Sequence, residues 1–248
     1  MEFMTLEQLR ERAWIIPWSG GKDSTATVIL CHKYGIPIKR IIYVRMMWDE
    51  TLPATLPVMT EFVDNTRLIF ESWGYSVDVV PSLVTAKEIT EKIYKKAKNY
   101  PERNGKYWGI SAFARGFCKF TGVKESTVKT VLDSNENTLV GYAIDEVDRL
   151  HRLTEKKQSI MCTLGITEQQ AFSICREAGL LSPLYELKVF RDGCWFCPNA
   201  RADERVMLKE LYPELVVKIK QMIEMCDYDL SRFQSRNKWL QDYFSGKL

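Results

Sequence analysis

The chain has 248 residues, 46% of them hydrophobic and 27% charged, with a net charge of +3. That is a soluble globular composition with enough apolar material to form a core without disulfide staples. Residues 1–12 are polar and charged, and the first apolar run, 13–18, is too short for a signal core or a membrane span. The seven cysteines therefore read as thiols or metal ligands in a cytoplasmic protein that meets no membrane.

The spacing predicts a short helix over 5–12 and a strand over 13–18. A turn at 19–24 follows, then a helix over 24–34 stopped by Gly35. A second strand is expected over 38–47. A helix over 57–73 should bury Val58, Phe62, Leu68 and Ile69, and a third strand covers 75–80. Strand, helix, strand, helix, strand within 80 residues argues for a parallel sheet with crossover helices. Further on, a helix is predicted over 85–98 and irregular backbone over 99–137. A strand is predicted over 138–144, and helices over 167–178, 202–212 and 214–225. The expected organisation is a nucleotide-binding α/β domain at 1–160, with a cysteine-bearing helical appendage at 161–248 packed on it.

The charge is uneven. Between 87 and 129 there are eleven Lys or Arg and four Glu, a net +7, against 24 basic and 28 acidic residues elsewhere, a net −4. A basic middle segment suits a polyanionic ligand, although Lys92, Lys95, Lys96 and Lys98 equally suit a solvated helix face.

The string Ser19-Gly20-Gly21-Lys22-Asp23-Ser24 lies between a strand and a helix. There it opens onto the ligand crevice at the carboxyl edge of a parallel sheet. Two glycines let backbone N–H groups approach a phosphate, and the following helix points its positive end at the same spot. Lys22 adds a full charge, and Ser19 and Ser24 add hydroxyls. The spacing is not that of a Walker loop.

The string resembles the pyrophosphate loop of the PP-loop superfamily, that is, of N-type ATP pyrophosphatases and phosphoadenosine phosphosulfate reductases. The resemblance implies an adenine nucleotide α hydrolase-like fold and a bound adenine nucleotide. In the ATP-using branch it implies ATP with Mg²⁺, cut between the α- and β-phosphates. It extends to Asp49 after the second strand and to Arg115-Gly-Phe-Cys118 with Lys119 and Lys124. It also covers Gly141 to Arg149, which is similar to the reductases' Gly-x-Arg-x-x-Glu-Ser-x-x-Arg segment. Gly141, Glu146 and a trailing Arg149 or Arg152 match there, whereas Ala143 and Val147 replace the usual Arg and Ser. Residues 167–198, from Thr167-Glu168 to Cys194-Trp-Phe-Cys197-Pro198, are similar to a reductase-like group of phage and bacterial genomes.

Cys194 and Cys197 are the one close cysteine pair, with Gly193 easing their turn. Cys118, separated from Cys194 by 75 residues, is the third candidate ligand, in a layout that resembles cluster-bearing adenylylsulfate reductases. Cys162 or Cys175 is the candidate fourth. Such a set would hold Zn²⁺ or a 4Fe-4S cluster; a redox dithiol and unliganded thiols remain open. Cys31 and Cys226 read as core residues, and His32 and His151 as surface residues. The 22 residues after Cys226 lack the cysteine nucleophile of thioredoxin-type reductases.

Three functions are compatible with this sequence. The first is ATP α–β cleavage coupled to adenylation or sulfur transfer. The second is a sulfonucleotide reductase, releasing sulfite, with a displaced nucleophile such as Cys194 or Cys197. The third is a nucleotide-gated nucleic-acid-binding module. The acceptor in the first is left open between a nucleic acid and a sulfur donor protein.

Overall fold

The computed structural model describes residues 3–116, 118–133, 135–187 and 193–248. Five strands form one sheet: β1 (Trp14–Trp18), β2 (Ile38–Arg45), β3 (Val77–Pro81), β4 (Thr138–Leu139) and β5 (Lys157–Gln158). Their order is β3-β2-β1-β4-β5 and every pairing is parallel. The protein is α/β. The chain builds outward from β1 to β3 and then crosses to β4 on the other side. The topological switch therefore falls beside β1, where the crevice of such sheets opens.

Helices α1 (Leu6–Arg10), α2 (Lys22–Tyr34), α3 (Pro57–Ser72), α4 (Ala86–Thr90) and α5 (Thr121–Val131) occupy the first half of the chain. They are followed by α6 (Val147–Leu150), α7 (Ile160–Leu164), α8 (Glu168–Glu177), α9 (Ala202–Leu211), α10 (Pro213–Glu224) and α11 (Lys238–Phe244). Among the described residues, none of these helices is long and apolar enough to cross a membrane.

One hydrophobic cluster runs from Leu9 and Trp14 through the sheet to Ile219 and Leu240. The elements after residue 160 thus bury their apolar faces in the core built on β1 and β2, and α8 packs along α2.

Four expectations are corrected. The buried stripe of α3 is Met59, Val63, Thr66 and Phe70, while Leu68 and Ile69 are 56% and 38% exposed. Positions 59, 63, 66 and 70 fall on one helical face, with Val58 and Phe62 on its flank and Leu68 and Ile69 turned to solvent.

The helix expected over 85–98 stops at Thr90. Beyond it Lys92, Lys95 and Lys96 would stand as like charges one turn apart. Instead, the backbone groups at 92 and 94 pair with 105, 106 and 108 (Trp108 N–H to Lys92 O, 2.7 Å; Tyr94 N–H to Lys106 O, 3.0 Å; Gly105 N–H to Tyr94 O, 2.9 Å).

The strand expected over 138–144 ends at Leu139, because the chain turns tightly at 140–142 (Tyr142 N–H to Val140 O, 3.0 Å). The stretch expected to be irregular contains α5, whose sequence is rich in β-branched residues and weak in helix propensity.

The final helix is fixed by two polar residues. Asn237, 1% exposed, caps α11 through bonds from the Trp239 and Leu240 amides, and its own amide donates to Phe113 O at 2.7 Å. Asp242 accepts from Arg205 Nε at 3.0 Å and from Lys209 Nζ at 2.9 Å, tying α11 to α9. Burial pushes the Asp242 carboxyl up, but the bonds from Arg205 and Lys209 outweigh it and hold the group below the usual aspartate value. A depressed folded-state value means the contribution is complete above the ordinary aspartate pKa and is lost as pH falls through the lower value. Asp242→Asn is therefore expected to cost about 2 kcal/mol at neutral pH and to leave stability less sensitive to acid. Urea denaturation at neutral and acid pH tests both effects, and an unchanged midpoint at neutral pH would show that the pair contributes nothing.

Candidate functional site

The turn after β1 is shaped by glycines and closed by serines. Gly20 has φ +80°, and a Cβ there would meet Met59 Cε of α3 at 2.2 Å. Gly21 is the N-cap of α2, and no side chain caps that helix. Its first-turn amides are thus left to an anion, with the helix dipole behind them. Ser19 and Ser24, expected to face a phosphate, instead bond one another (Oγ to Oγ, 3.0 Å) and pin the loop through Ser19 N–H to Ser24 Oγ (3.1 Å) and Ser24 Oγ to Gly21 O (3.1 Å). Beneath the loop, Trp18 Nε1 donates to Thr25 Oγ1 at 2.9 Å.

Across the switch point, Gly141 lies against the same helix end. A Cβ there would stand 2.7 Å from Asp23 C and from Ser24 N, which are backbone atoms unable to give way. The segment after β4 thereby joins the loop. Ala143 N–H donates to Glu146 Oε2 at 3.1 Å, Arg149 pairs with Glu146 at 2.5 Å, and the Arg149 guanidinium sits 4.1 Å from the Tyr142 ring centre.

Lys22 is the cation of this cluster. Its Nζ donates to Asp23 Oδ1 at 2.8 Å and to Glu168 Oε1 at 3.1 Å. Burial pushes the ammonium down, but the bonds and charges of Asp23 and Glu168 outweigh it and hold its pKa above the ordinary lysine value. Asp23 is raised above the usual aspartate range by burial, reinforced by Glu146 and Glu168, and Lys22 offsets this only in part. One cation is thus shared among carboxylates at the mouth of the loop. Glu168 is positioned by α8, whose first amide donates to Asp145 Oδ1 at 3.0 Å. The sequence marked Glu168 only as part of a helix start; the contact with Lys22, 146 residues away, has no local signal.

A second feature opens at the end of the neighbouring strand β2. A cavity of about 350 Å³ is lined by Cys118, Cys194 and Cys197, with Met46, Thr55 and Lys124. Aromatic packing holds the two cysteine segments together. Phe196, 1% exposed, lies 4.6 Å from Phe113, 5.9 Å from Phe120 and 5.6 Å from Trp48, ring centre to ring centre. Trp195 is buried under the turn, its Nε1 donating to Pro53 O at 3.2 Å and its backbone N–H to Ala54 O at 2.9 Å. The cysteines at either end of Trp195-Phe196 thus face the wall that carries Cys118.

The structure does not bring Cys162 or Cys175 to this cavity. Cys162 donates to Tyr142 O at 3.4 Å, and Cys175, buried between α8 and α2, donates to Lys22 O at 3.1 Å, its thiol pushed up to about 12 by burial. Both are held by carbonyls elsewhere. Arg115 is exposed and does not line the cavity; its amide donates to Arg236 O, and Phe117 beside it lies outside the described residues. Asp49 closes its own turn, accepting from Leu52 N–H at 2.8 Å and Thr51 N–H at 3.0 Å. Burial acts upward on it, but these bonds, that of the Thr51 hydroxyl and the charge of Lys218 hold its carboxyl below the usual value.

Three sulfur donors around one cavity suit a soft ion or an iron–sulfur cluster. Among the described residues no three ligating side chains stand close enough together to hold an ion as they are. Their chemistry fits such a group, and loading would require the 193–199 turn and Cys118 to draw together.

No protein-family model matches the chain, and no curated protein matches it. Among solved structures, it is similar to the U34-tRNA thiolase NcsA from Methanococcus maripaludis with its 4Fe-4S cluster. The identity is 15%, over 91% of this chain and 76% of that chain, with a TM-score of 0.40. So distant a likeness carries no information about chemistry here.

Two outcomes are expected at the loop. Gly141→Ala places a methyl group against backbone, so it should cost about 1–3 kcal/mol and weaken nucleotide binding; wild-type values for both would separate this segment from the loop. Glu168→Gln should tighten inorganic pyrophosphate binding by about 2- to 5-fold, the scale of a partly exposed ion pair. Equal affinity in calorimetry would show that Glu168 does not compete for Lys22.

Proposed function

We propose that the chain is an ATP-using enzyme of the PP-loop type, acting in the cytoplasm, that activates an acceptor by adenylation and serves sulfur transfer at the cysteine cavity. The observation that supports this is the placement of an uncapped α2 N-terminus behind a glycine loop at the end of β1, next to the three-sulfur cavity at the end of β2. Both features open on the carboxyl edge of adjacent strands.

In this reading the amides of the loop and Lys22 take the β- and γ-phosphates, with Glu168 giving way. Gly141, Tyr142 and Arg149 form the opposite wall. Asp23 and Glu146 face the same space and suit a Mg²⁺ ion that neutralises the leaving group. An oxygen of the acceptor attacks the α-phosphorus, and pyrophosphate leaves with the bridging oxygen. Hydrosulfide then attacks the carbon bearing the adenylated oxygen, and AMP leaves. Cys118, Cys194 and Cys197 would hold a zinc ion or iron–sulfur cluster. Held by those three cysteines, such a group would supply a place for sulfur to bind. Lys124, on the cavity wall, offsets negative charge brought in by the acceptor.

The test is product analysis of anaerobically purified protein given ATP and Mg²⁺ or, separately, the two adenylyl sulfonucleotides. Slow release of pyrophosphate and AMP, with water standing in for the acceptor, is the expected outcome with ATP, and Lys22→Ala should weaken ATP binding by about 10-fold or more. Sulfite without pyrophosphate would assign the loop to a sulfonucleotide and overturn the reading. Cys194→Ser should lose bound zinc or iron, and metal content equal to wild type would remove the ligand role.

A further inference from the structure

Between α4 and the turn at Gly109–Ala112 the chain leaves the sheet edge and returns as an excursion closed by bridges between Ile93 and Tyr107 and between Tyr94 and Asn104. Its outer face exposes Lys92, Lys95, Lys96 and Lys98, and among the described residues none of the four forms an ion pair. Lys106, by contrast, is tied to Asp227. Four cations within seven residues repel one another, and Glu88, near Lys92, offsets them only in part, so the face favours an external anion.

The excursion is firmly anchored. Arg103, 5% exposed, lies among the rings of Tyr100 (4.2 Å), Phe233 (4.7 Å), Tyr228 (5.4 Å) and Tyr94 (5.9 Å). The Tyr94 and Tyr228 hydroxyls meet at Ser111 Oγ, at 3.0 and 2.8 Å. The lysines are therefore presented on a fixed base, which lowers the ordering cost of binding.

The charge also leads somewhere. Lys92 Nζ lies 5.8 Å from the Trp108 ring centre, and Lys119 Nζ lies 5.9 Å from the same ring. Lys119 follows Cys118, and Lys124, one turn into α5, lines the cavity with that cysteine. The cations thus run from the excursion across Trp108 to the sulfurs. Tyr107, 45% exposed, stands at the excursion's base.

We propose that this track binds the sugar–phosphate backbone of a single-stranded nucleic acid segment and leads one nucleotide into the cysteine cavity. Rows of lysine with exposed aromatic rings suit phosphates spaced along a strand and bases that stack. A cavity of about 350 Å³ is at the small end of ligand pockets and admits one base, not a duplex. The proposal rests on the reading of the cavity as the acceptor site, and it names that acceptor's class.

The experiment is fluorescence anisotropy with a labelled RNA stem-loop and the DNA of the same sequence, with poly-glutamate as competitor, between about 50 and 200 mM salt. Binding should weaken with salt on a log–log slope of about −3, as four or five phosphate contacts to a single strand give. The variant Lys92→Glu/Lys95→Glu/Lys96→Glu/Lys98→Glu should bind at least 30-fold more weakly with a flatter slope, and the corresponding Gln variant should fall between. ATP affinity should be unchanged in both, which reports that they fold. Tighter binding of RNA would assign a role to the 2′-hydroxyl, and equal binding would assign recognition to the backbone; either supports the track. Unchanged affinity in the Glu variant, or displacement by poly-glutamate as effective as by unlabelled RNA, would overturn it. Lys22→Ala should still bind the RNA, so a failed nucleotide reading and a failed track give different results.

Discussion

The candidate site depends on the first turn of α2 carrying no side chain over its amides. The N-cap of a helix is normally a Ser, Thr, Asp or Asn whose side chain covers one of those N–H groups. Here the N-cap is Gly21, and Ser19 and Ser24 bond each other while Ser24 also donates to Gly21 O, so neither caps a first-turn amide. Gly20 holds a positive φ against Met59, and Gly141 brings the chain after β4 to backbone distance from Asp23 and Ser24. The result is a small concavity walled by backbone, which is where a phosphate is best recognised.

The cysteine cavity rests on a different kind of constraint. The ring of Phe196, set between the paired cysteines, brings their turn toward the segment of Cys118 by entering a cluster with Trp48, Phe113 and Phe120. Packing of this sort fixes the chain segments and leaves the sulfurs at the rim, where they are partly exposed. The buried cysteines contrast with them. Cys175 and Cys162 donate to backbone carbonyls, and Cys31 and Cys226 sit in the core.

Charge is arranged oppositely at the two features. At the loop, Lys22 lies among Asp23, Glu168 and Glu146, so an incoming polyphosphate must displace Glu168 or bring a cation with it. Among the described residues that line the cavity there is no acid: Lys124 lies on the wall, and Lys119 and Lys92 flank Trp108 nearby. A nucleotide carrying its own metal suits the first environment, and a bare phosphodiester strand suits the second.

The sequence by itself determined the β1–loop–α2 unit, the parallel α/β class and the turn of the paired cysteines, because each is written within a few residues. An apolar run, two glycines, a helical repeat and a Cys-x-x-Cys need no distant partner to take shape. Burial on α3 was off by one residue, because Leu68 and Ile69 look apolar in sequence while the sheet selects the neighbouring face. Strand β5 and helices α5 and α11 carried too weak a local signal, being two polar residues, a segment rich in β-branched residues and a helix of only seven residues. Only the tertiary structure decided that Glu168 reaches Lys22, that Gly141 seals the loop and that Cys118 shares a cavity with Cys194 and Cys197 while Cys162 and Cys175 do not. Each of those contacts joins residues that lie 20 or more positions apart, and its geometry is set by the packing of sheet and rings between them.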